Sequence, residues 1–188
     1  MKKLIVLFRK IASRIIASIL TPTAYAKRCG VKMGKGCVIN TKHFPTEPYL
    51  IEFGNYVRVA MHTKFFTHGG LVAQRFNHPE LILEQYGRIK VGDYSYIGDS
   101  CLIMPGVEIG SNCIVGAGSV VTKSIPDGMM VAGNPAKIIG KTEEMIQRVA
   151  AKCPIKSRDF YKLNQRERKE FILNIPDDLL IHKKMMSV

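Results

Sequence analysis

The sequence predicts an all-β solenoid, a parallel β-helix, on three observations: a gap-free six-residue period from Val91, an aliphatic residue opening each step, and glycine or a small residue at fixed places within it. From Val91 the chain divides into VGDYSY, IGDSCL, IMPGVE, IGSNCI, VGAGSV, VTKSIP, DGMMVA and GNPAKI. Val91, Ile97, Ile103, Ile109, Val115 and Val121 open the first six steps. Gly92, Gly98, Gly110 and Gly116 stand in second place, and Ser95, Cys101, Val107, Cys113, Ser119, Ile125 and Val131 in fifth. A period of six fits neither an α-helix nor the simple alternation of an open sheet, so each step reads as a short strand plus a turn. Three steps make one triangular coil of 18 residues. Stacked coils form parallel ladders on three faces, with first and fifth places pointing inward. A wide side chain in fifth place would strike the coil above. Glycine in second place, like Asn40 upstream, reads as a turn residue that tolerates unusual backbone angles.

Taken in chain order, residues 1–29 come first. Leu4, Leu7, Phe8, Ile11, Ile15 and Ile19 share one helical face, which predicts a basic amphipathic helix. Residues 1–26 also carry features of a secretory signal, but Arg9, Lys10 and Arg14 interrupt the apolar run, and Leu4 to Phe8 is too short a core; a retained helix is expected. The same charges argue against a membrane span. The solenoid is expected over residues 30–140. Its period starts with MGKGCV and INTKHF from Met33 and resumes with FGNYVR and VAMHTK from Phe53. An interruption at 44–52 shifts the frame by two residues, and a second at 69–88 lacks the period and reads as an excursion loop. Residues 141–188, with Met145, Ile146, Val149, Phe160, Leu163, Phe171 and Ile172, read as a C-terminal helical cap over the open end.

The formal net charge of +13 suits an anionic partner: a polyphosphate cofactor or an anionic membrane surface. The basic residues are dispersed and no basic-aromatic module interleaves them, which argues against nucleic acid. The basic N-terminal helix is compatible with peripheral membrane contact. Five cysteines without a C-x-x-C pair argue against a disulfide framework and a structural zinc site, and fit a reducing, cytoplasmic compartment. Cys37, Cys101 and Cys113 fall in the inward fifth place and read as small core residues.

The step series followed by GAGSVVTKSIPDGMMVAGNPAKIIG resembles the hexapeptide-repeat acyltransferases, in particular their sugar and xenobiotic O-acetyltransferase branch, over roughly residues 30–141. The resemblance implies a left-handed β-helix, an exception to right-handed parallel crossovers. It also implies a homotrimer with active sites at subunit interfaces, and acetyl-CoA as acyl donor with no metal required. Relatives carry a histidine at a strand end before an excursion, and FFTHGG puts His68 there. A neutral imidazole can take a hydroxyl proton as the oxygen attacks the thioester, with no covalent enzyme intermediate. Glu47 lies near the place where relatives hold an acidic residue beside the acceptor, although the local spacing differs by two residues. It is expected to orient His68 or bind the acceptor. Asp99, Gly116, Ala117, Thr122, Lys123 and Lys137 fall where relatives contact the donor: small residues let a pantetheine arm approach backbone amides, and lysines meet phosphates as point charges. Relatives often have arginine at Lys137 and a further basic residue at Gly140, so some of that grip is expected at Lys141.

The resulting expectation is an acetyl-CoA-dependent O-acetyltransferase acting on a sugar hydroxyl, with a cell-envelope or capsular polysaccharide, or its lipid-linked precursor, as the favoured acceptor. An N-acetyltransferase of an amino sugar and a non-catalytic scaffold remain alternatives. His62 and His78 are secondary candidates for substrate contact, and His43 and His182 read as surface residues. A carbonic anhydrase of related architecture needs three zinc histidines, and the spacing of His62 and His68 does not match that set.

Overall fold

The computed structural model describes residues 18–71, 73–155 and 157–181, so most of the expected N-terminal helix, including Leu4 to Ile15, and His182 lie outside the described residues. The chain divides into two compact units, residues 1–142 and 143–188.

In the first unit a short helix, α1 (Pro22–Cys29), precedes the strands. Thr21 caps its start by accepting from the Ala24 amide, and Gly30, at φ 106°, ends it in the left-handed conformation that glycine adopts without strain. Among the described residues fifteen strands follow: β1 (Lys32–Met33), β2 (Val38–Ile39), β3 (Ile51–Phe53), β4 (Arg58–Val59), β5 (Lys64–Phe65), β6 (His68–Gly70), β7 (Glu84–Tyr86), β8 (Ile89–Val91), β9 (Tyr96–Ile97), β10 (Leu102–Ile103), β11 (Glu108–Ile109), β12 (Ile114–Val115), β13 (Val120–Val121), β14 (Met129–Gly133) and β15 (Ala136–Lys141). From β3 to β13, apart from the β6–β7 pair, successive strands visit three sheets in rotation. The first sheet runs β1-β3-β8-β11, the second β2-β4-β9-β12-β14-β15, and the third β5-β10-β13. Every pairing within them is parallel except the closing β14–β15 hairpin. Partners such as Lys90 and Glu108, Tyr96 and Ile114, and Leu102 and Val120 are one three-step coil apart.

Most steps contribute a two-residue strand whose first residue faces out and whose second faces in. Ile39, Val59, Phe65, Ile97, Ile103, Ile109, Val115 and Val121 are therefore buried in one cluster between the three sheets. Fifth place is selected for more than size. Thr63, Ser95 and Cys101 each donate to the carbonyl of a second-place glycine in the next coil: Thr63 Oγ1 to Gly98 O (2.7 Å), Ser95 Oγ to Gly110 O (2.7 Å) and Cys101 Sγ to Gly116 O (3.2 Å). These corner carbonyls lie outside the ladders and need a donor when buried. Burial pushes the Cys101 and Cys113 thiols up, which keeps them protonated donors.

The glycine pattern has a different cause from the one expected. In most turns the left-handed residue is in fourth place, where Tyr56, His62, Tyr94, Ser100, Asn112, Gly36, Gly106 and Gly118 all have positive φ, whereas in DGMMVA it is the second-place Gly128. Elsewhere second-place glycine is required by close stacking: a Cβ on Gly92 would come within 2.5 Å of the Ser111 amide nitrogen, and one on Gly98 within 2.6 Å of the Ala117 amide nitrogen. The upstream frame also breaks earlier than the period suggests. In INTKHF the buried residue after Ile39 is Thr41, which donates to Thr63 O (2.8 Å), while His43 in nominal fifth place is exposed. Cys37, in the first coil, is only half-buried.

The second unit holds α2 (Thr142–Lys152), which begins at the unit boundary, and α3 (Gln165–Leu173). A reciprocal capping box starts α3: Asn164 accepts from the Glu167 amide, and Glu167 accepts from the Asn164 amide. Phe160 meets Phe171 edge-on at 5.3 Å. Among the described residues no helix is long and apolar enough to cross a membrane.

Candidate functional site

The two interruptions of the period meet in space. The first is anchored by Phe44, whose ring stacks on Phe65 of β5 at 5.9 Å, and by Pro48, buried at the start of a 3-10 turn. Glu47 immediately precedes that turn. The second interruption, expected as a loop over 69–88, is an antiparallel hairpin whose first strand opens with His68 itself; β6 pairs with β7 through His68–Tyr86, Gly69–Gln85 and Gly70–Glu84. At its base the Gly87 amide donates to Thr67 O at 2.8 Å, which returns the chain to the first sheet.

His68 Nδ1 lies 2.7 Å from Glu47 Oε2, and the side chains are 47% and 16% exposed, so the imidazole is open while its carboxylate partner is shielded. Buried Thr67 also donates to Oε2 (3.0 Å), and Thr46 donates to Oε1 (2.5 Å). The Thr46 hydroxyl first, then the hydrogen bonds from His68 and Thr67, hold the Glu47 carboxyl below the usual carboxylate range. An ionised carboxylate only accepts, so Nδ1 carries the proton, and in the neutral imidazole Nε2 is then the nitrogen with the lone pair. The Tyr86 ring lies 5.9 Å from the imidazole at 50°.

The other predicted residues lie at two edges of the third sheet, with Lys137 reaching one of them from β15 of the second. Where its strands end, Thr122 and Lys123 share with Ser124, Pro135, Ala136 and Lys137 a cavity of about 370 Å³. The same edge carries Thr67 and His68 after β5, two coils away along the stack. Where the strands begin, Asp99 stacks below Ala117 and Gly118, and the Gly118 amide donates to Asp99 O at 2.8 Å. Asp99 Oδ1 faces His62 Nδ1 at 3.4 Å, and Oδ2 accepts from Ser100 Oγ at 2.8 Å. Gly116 is half-buried and Ala117 exposed on this second edge. One chain thus brings His68 and Glu47 together, and separately Thr122, Lys123 and Lys137, while Asp99, Gly116 and Ala117 stand across the sheet from both. His78 pairs with Glu80 (3.7 Å) inside the excursion. Among the described residues no three His, Cys, Asp or Glu side chains converge as a metal site.

Sequence reasoning missed Thr46, Thr67 and Tyr86. The two threonines directly precede Glu47 and His68, but which carboxylate they serve depends on how the coils stack. Tyr86 is opposite His68 only once the hairpin register is known.

Against this geometry, a model of the bacterial transferase hexapeptide (six repeats) matches residues 88–123. Protein CapG of Staphylococcus aureus is 39% identical over 153 residues, 79% of this chain and 85% of that protein. The chain belongs to the bacterial hexapeptide-repeat transferases. A protein of Staphylococcus aureus strain MRSA252 named as an acetyltransferase is 31% identical over 140 residues, covering 74% of this hexapeptide-repeat transferase and 68% of the relative. Among solved structures, a maltose O-acetyltransferase from Clostridium difficile 630 superposes with a TM-score of 0.52 at 31% identity, over 60% of this chain and 59% of that one, less than two thirds of its length. This hexapeptide-repeat transferase is an acyltransferase.

Proposed function

We propose that this acyltransferase moves an acetyl group from acetyl-CoA to a sugar hydroxyl, with His68 as general base, and that its three sheets wind as a left-handed β-helix. The observation that carries the reading is the 2.7 Å contact between Glu47 and His68 Nδ1, which leaves Nε2 of a half-exposed side chain to act as the base. His68 Nε2 takes the proton of the acceptor hydroxyl as its oxygen bonds to the thioester carbonyl carbon. The tetrahedral intermediate collapses, the C–S bond breaks, and the departing thiolate takes the proton back from the imidazolium. Glu47 fixes the ring and offsets the positive charge that forms on it.

The cavity with Lys123 and Lys137 suits the donor's phosphates, and the exposed stretch from Gly116 to Gly118 suits its pantetheine arm, since a Cβ on Gly118 would meet open space. Asp99, Thr122 and Lys123 complete the set. These residues stand on opposite edges of one chain's third sheet, which favours a homotrimer in which neighbouring copies supply the two edges of each site. The named maltose O-acetyltransferase favours a sugar acceptor. The basic N-terminal segment favours a cytoplasmic protein peripheral to the membrane, acting on a cell-envelope glycan or its lipid-linked precursor. Deleting residues 1–22 then abolishes co-sedimentation with anionic vesicles.

The test is thiol release from acetyl-CoA with paired hydroxyl and amino sugars, in wild type and His68→Ala. The expected result is turnover on hydroxyl acceptors and a loss of about 100- to 10,000-fold in kcat on substitution, with donor binding retained. Preference for the amino sugars would make it an N-acetyltransferase, and unchanged turnover in His68→Ala would remove the base assignment.

A further inference from the structure

The face of the β6–β7 hairpin that holds His68 carries more than the base. On β7, Tyr86 and Glu84 are two residues apart and therefore project to the same side. Cross-strand pairing sets Tyr86 against His68 and Glu84 against Gly70. Gly70 is what lets the strands close here, because a Cβ at that position would strike the Leu83 carbonyl. The result is a row of three side chains, His68, Tyr86 and Glu84, with Glu47 behind the first. Tyr86 is 58% exposed although its ring touches the imidazole, so it is an aromatic surface at the mouth of the site with no apolar cover. Its hydroxyl donates to Glu84 Oε2 at 2.8 Å. That bond and the charge of Glu84 push the phenol up, with desolvation and then Glu47 and Tyr49 adding to it, so the phenol remains a donor.

An exposed aromatic ring beside a fixed carboxylate matches the two surfaces of a pyranose: the apolar C–H face packs on the ring, and hydroxyls donate to the carboxylate. The same two carboxylates oppose a phosphate or carboxylate on the acceptor. We infer that Tyr86 and Glu84 select the acceptor as an uncharged pyranoside, stacked on Tyr86 with a hydroxyl on Glu84 and the reacting hydroxyl at His68 Nε2. This rests on the O-acetyltransferase reading above. Tyr86 and Glu84 are specificity-determining residues and take no proton from the reacting hydroxyl.

The test measures acceptor and donor KM and kcat for wild type, Tyr86→Ala, Tyr86→Phe and Glu84→Gln, using maltose, methyl glucoside and glucose 6-phosphate as acceptors. Tyr86→Ala is expected to raise KM for the neutral sugars about tenfold, the equivalent of one aromatic contact, with donor KM unchanged. Tyr86→Phe keeps the face and recovers most of that loss. Glu84→Gln lowers the preference for neutral over phosphorylated acceptor by about fivefold or more, through loss of the repelling charge. If Tyr86→Ala lowers kcat while acceptor KM stays within twofold, the ring merely holds His68 and the inference falls while the O-acetyltransferase reading stands. If the wild type prefers the phosphorylated acceptor, the selection is also overturned. If the wild type transfers acetyl to no sugar, both readings fall together.

Discussion

Gly98→Ala separates the two explanations of the second-place glycines. Gly98 has φ outside the left-handed region, so if turn flexibility were the reason for glycine, alanine would fit there without strain. The structure says otherwise. The added Cβ would lie 2.6 Å from the Ala117 amide nitrogen and 2.8 Å from Val115 O, both backbone atoms, about 0.8 Å inside the 3.4 Å at which ordinary contact begins. The coils must separate by that amount. Gly98 N to Val115 O and Gly118 N to Asp99 O, each 2.8 Å, then stretch toward the limit of hydrogen bonding. Two weakened bonds at about 1 kcal/mol each, with overpacking of about 1–3 kcal/mol, give an expected loss of about 3–5 kcal/mol. Gly118→Ala is the counter-case: its φ is +71° and its Cβ meets nothing, so only the left-handed strain of about 1–2 kcal/mol applies. Urea unfolding at matched protein concentration reads both, with equal m-values showing that the unfolded states are comparable. A Gly118→Ala loss equal to or larger than that of Gly98→Ala would refute the stacking argument.

Other consequences follow from the same contacts. Thr63→Val keeps the shape but removes the donor to Gly98 O, leaving a buried carbonyl unpaired at an expected cost of about 1–3 kcal/mol, while Thr63→Ser retains most of the stability in the same denaturation assay. The native Glu47 carboxyl is held below its unfolded range, so the unfolded chain binds more protons; its contribution is present above the ordinary carboxylate range and is lost as pH falls through the lowered native value. The stability gap between wild type and Glu47→Gln therefore closes on acidification, which pH-dependent unfolding checks. Burial pushes the Cys101 and Cys113 thiols up, so iodoacetamide followed by peptide mass spectrometry is expected to label Cys29, Cys37 and Cys153 in the native state and these two only after unfolding.

The regular part of the fold was legible because its information is local. An aliphatic in first place and a small residue in fifth repeat wherever the environment repeats, so Val91 to Val121 could be assigned to inward positions from spacing alone. What the period could not reveal is which atoms approach across coils. Glycine in second place is equally compatible with a turn requirement and a stacking requirement, and only the 2.6 Å approach at Gly98 separates them. The fifth-place hydroxyls and thiols looked like a size choice because their acceptors, the corner carbonyls of the coil above, are one coil away in sequence. In INTKHF the frame has already slipped at Thr41, which is buried, and His43, in nominal fifth place, is exposed as its reading as a surface residue expects.

The candidate site is made where the period fails. A regular step can place outward side chains only in columns one coil apart, and these give ladders such as Lys90 beside Glu108 at 3.3 Å, solvated pairs with little directional use. The two extra residues of the first interruption carry Glu47 out of the ladder, and the second interruption turns His68 into the start of a hairpin. Both are tied to β5: Phe44 stacks on Phe65, and Thr67, two residues on, donates to Glu47. Changing the length of either interruption therefore acts on the site before it acts on the core. Deleting one residue between Phe44 and Glu47 is expected to leave the unfolding midpoint nearly unchanged while reducing acetyl transfer to the level of Glu47→Ala. A deletion that instead lowers stability by several kcal/mol, with activity intact in the folded fraction, would show that the interruption serves packing and that the Glu47–His68 contact is incidental to it.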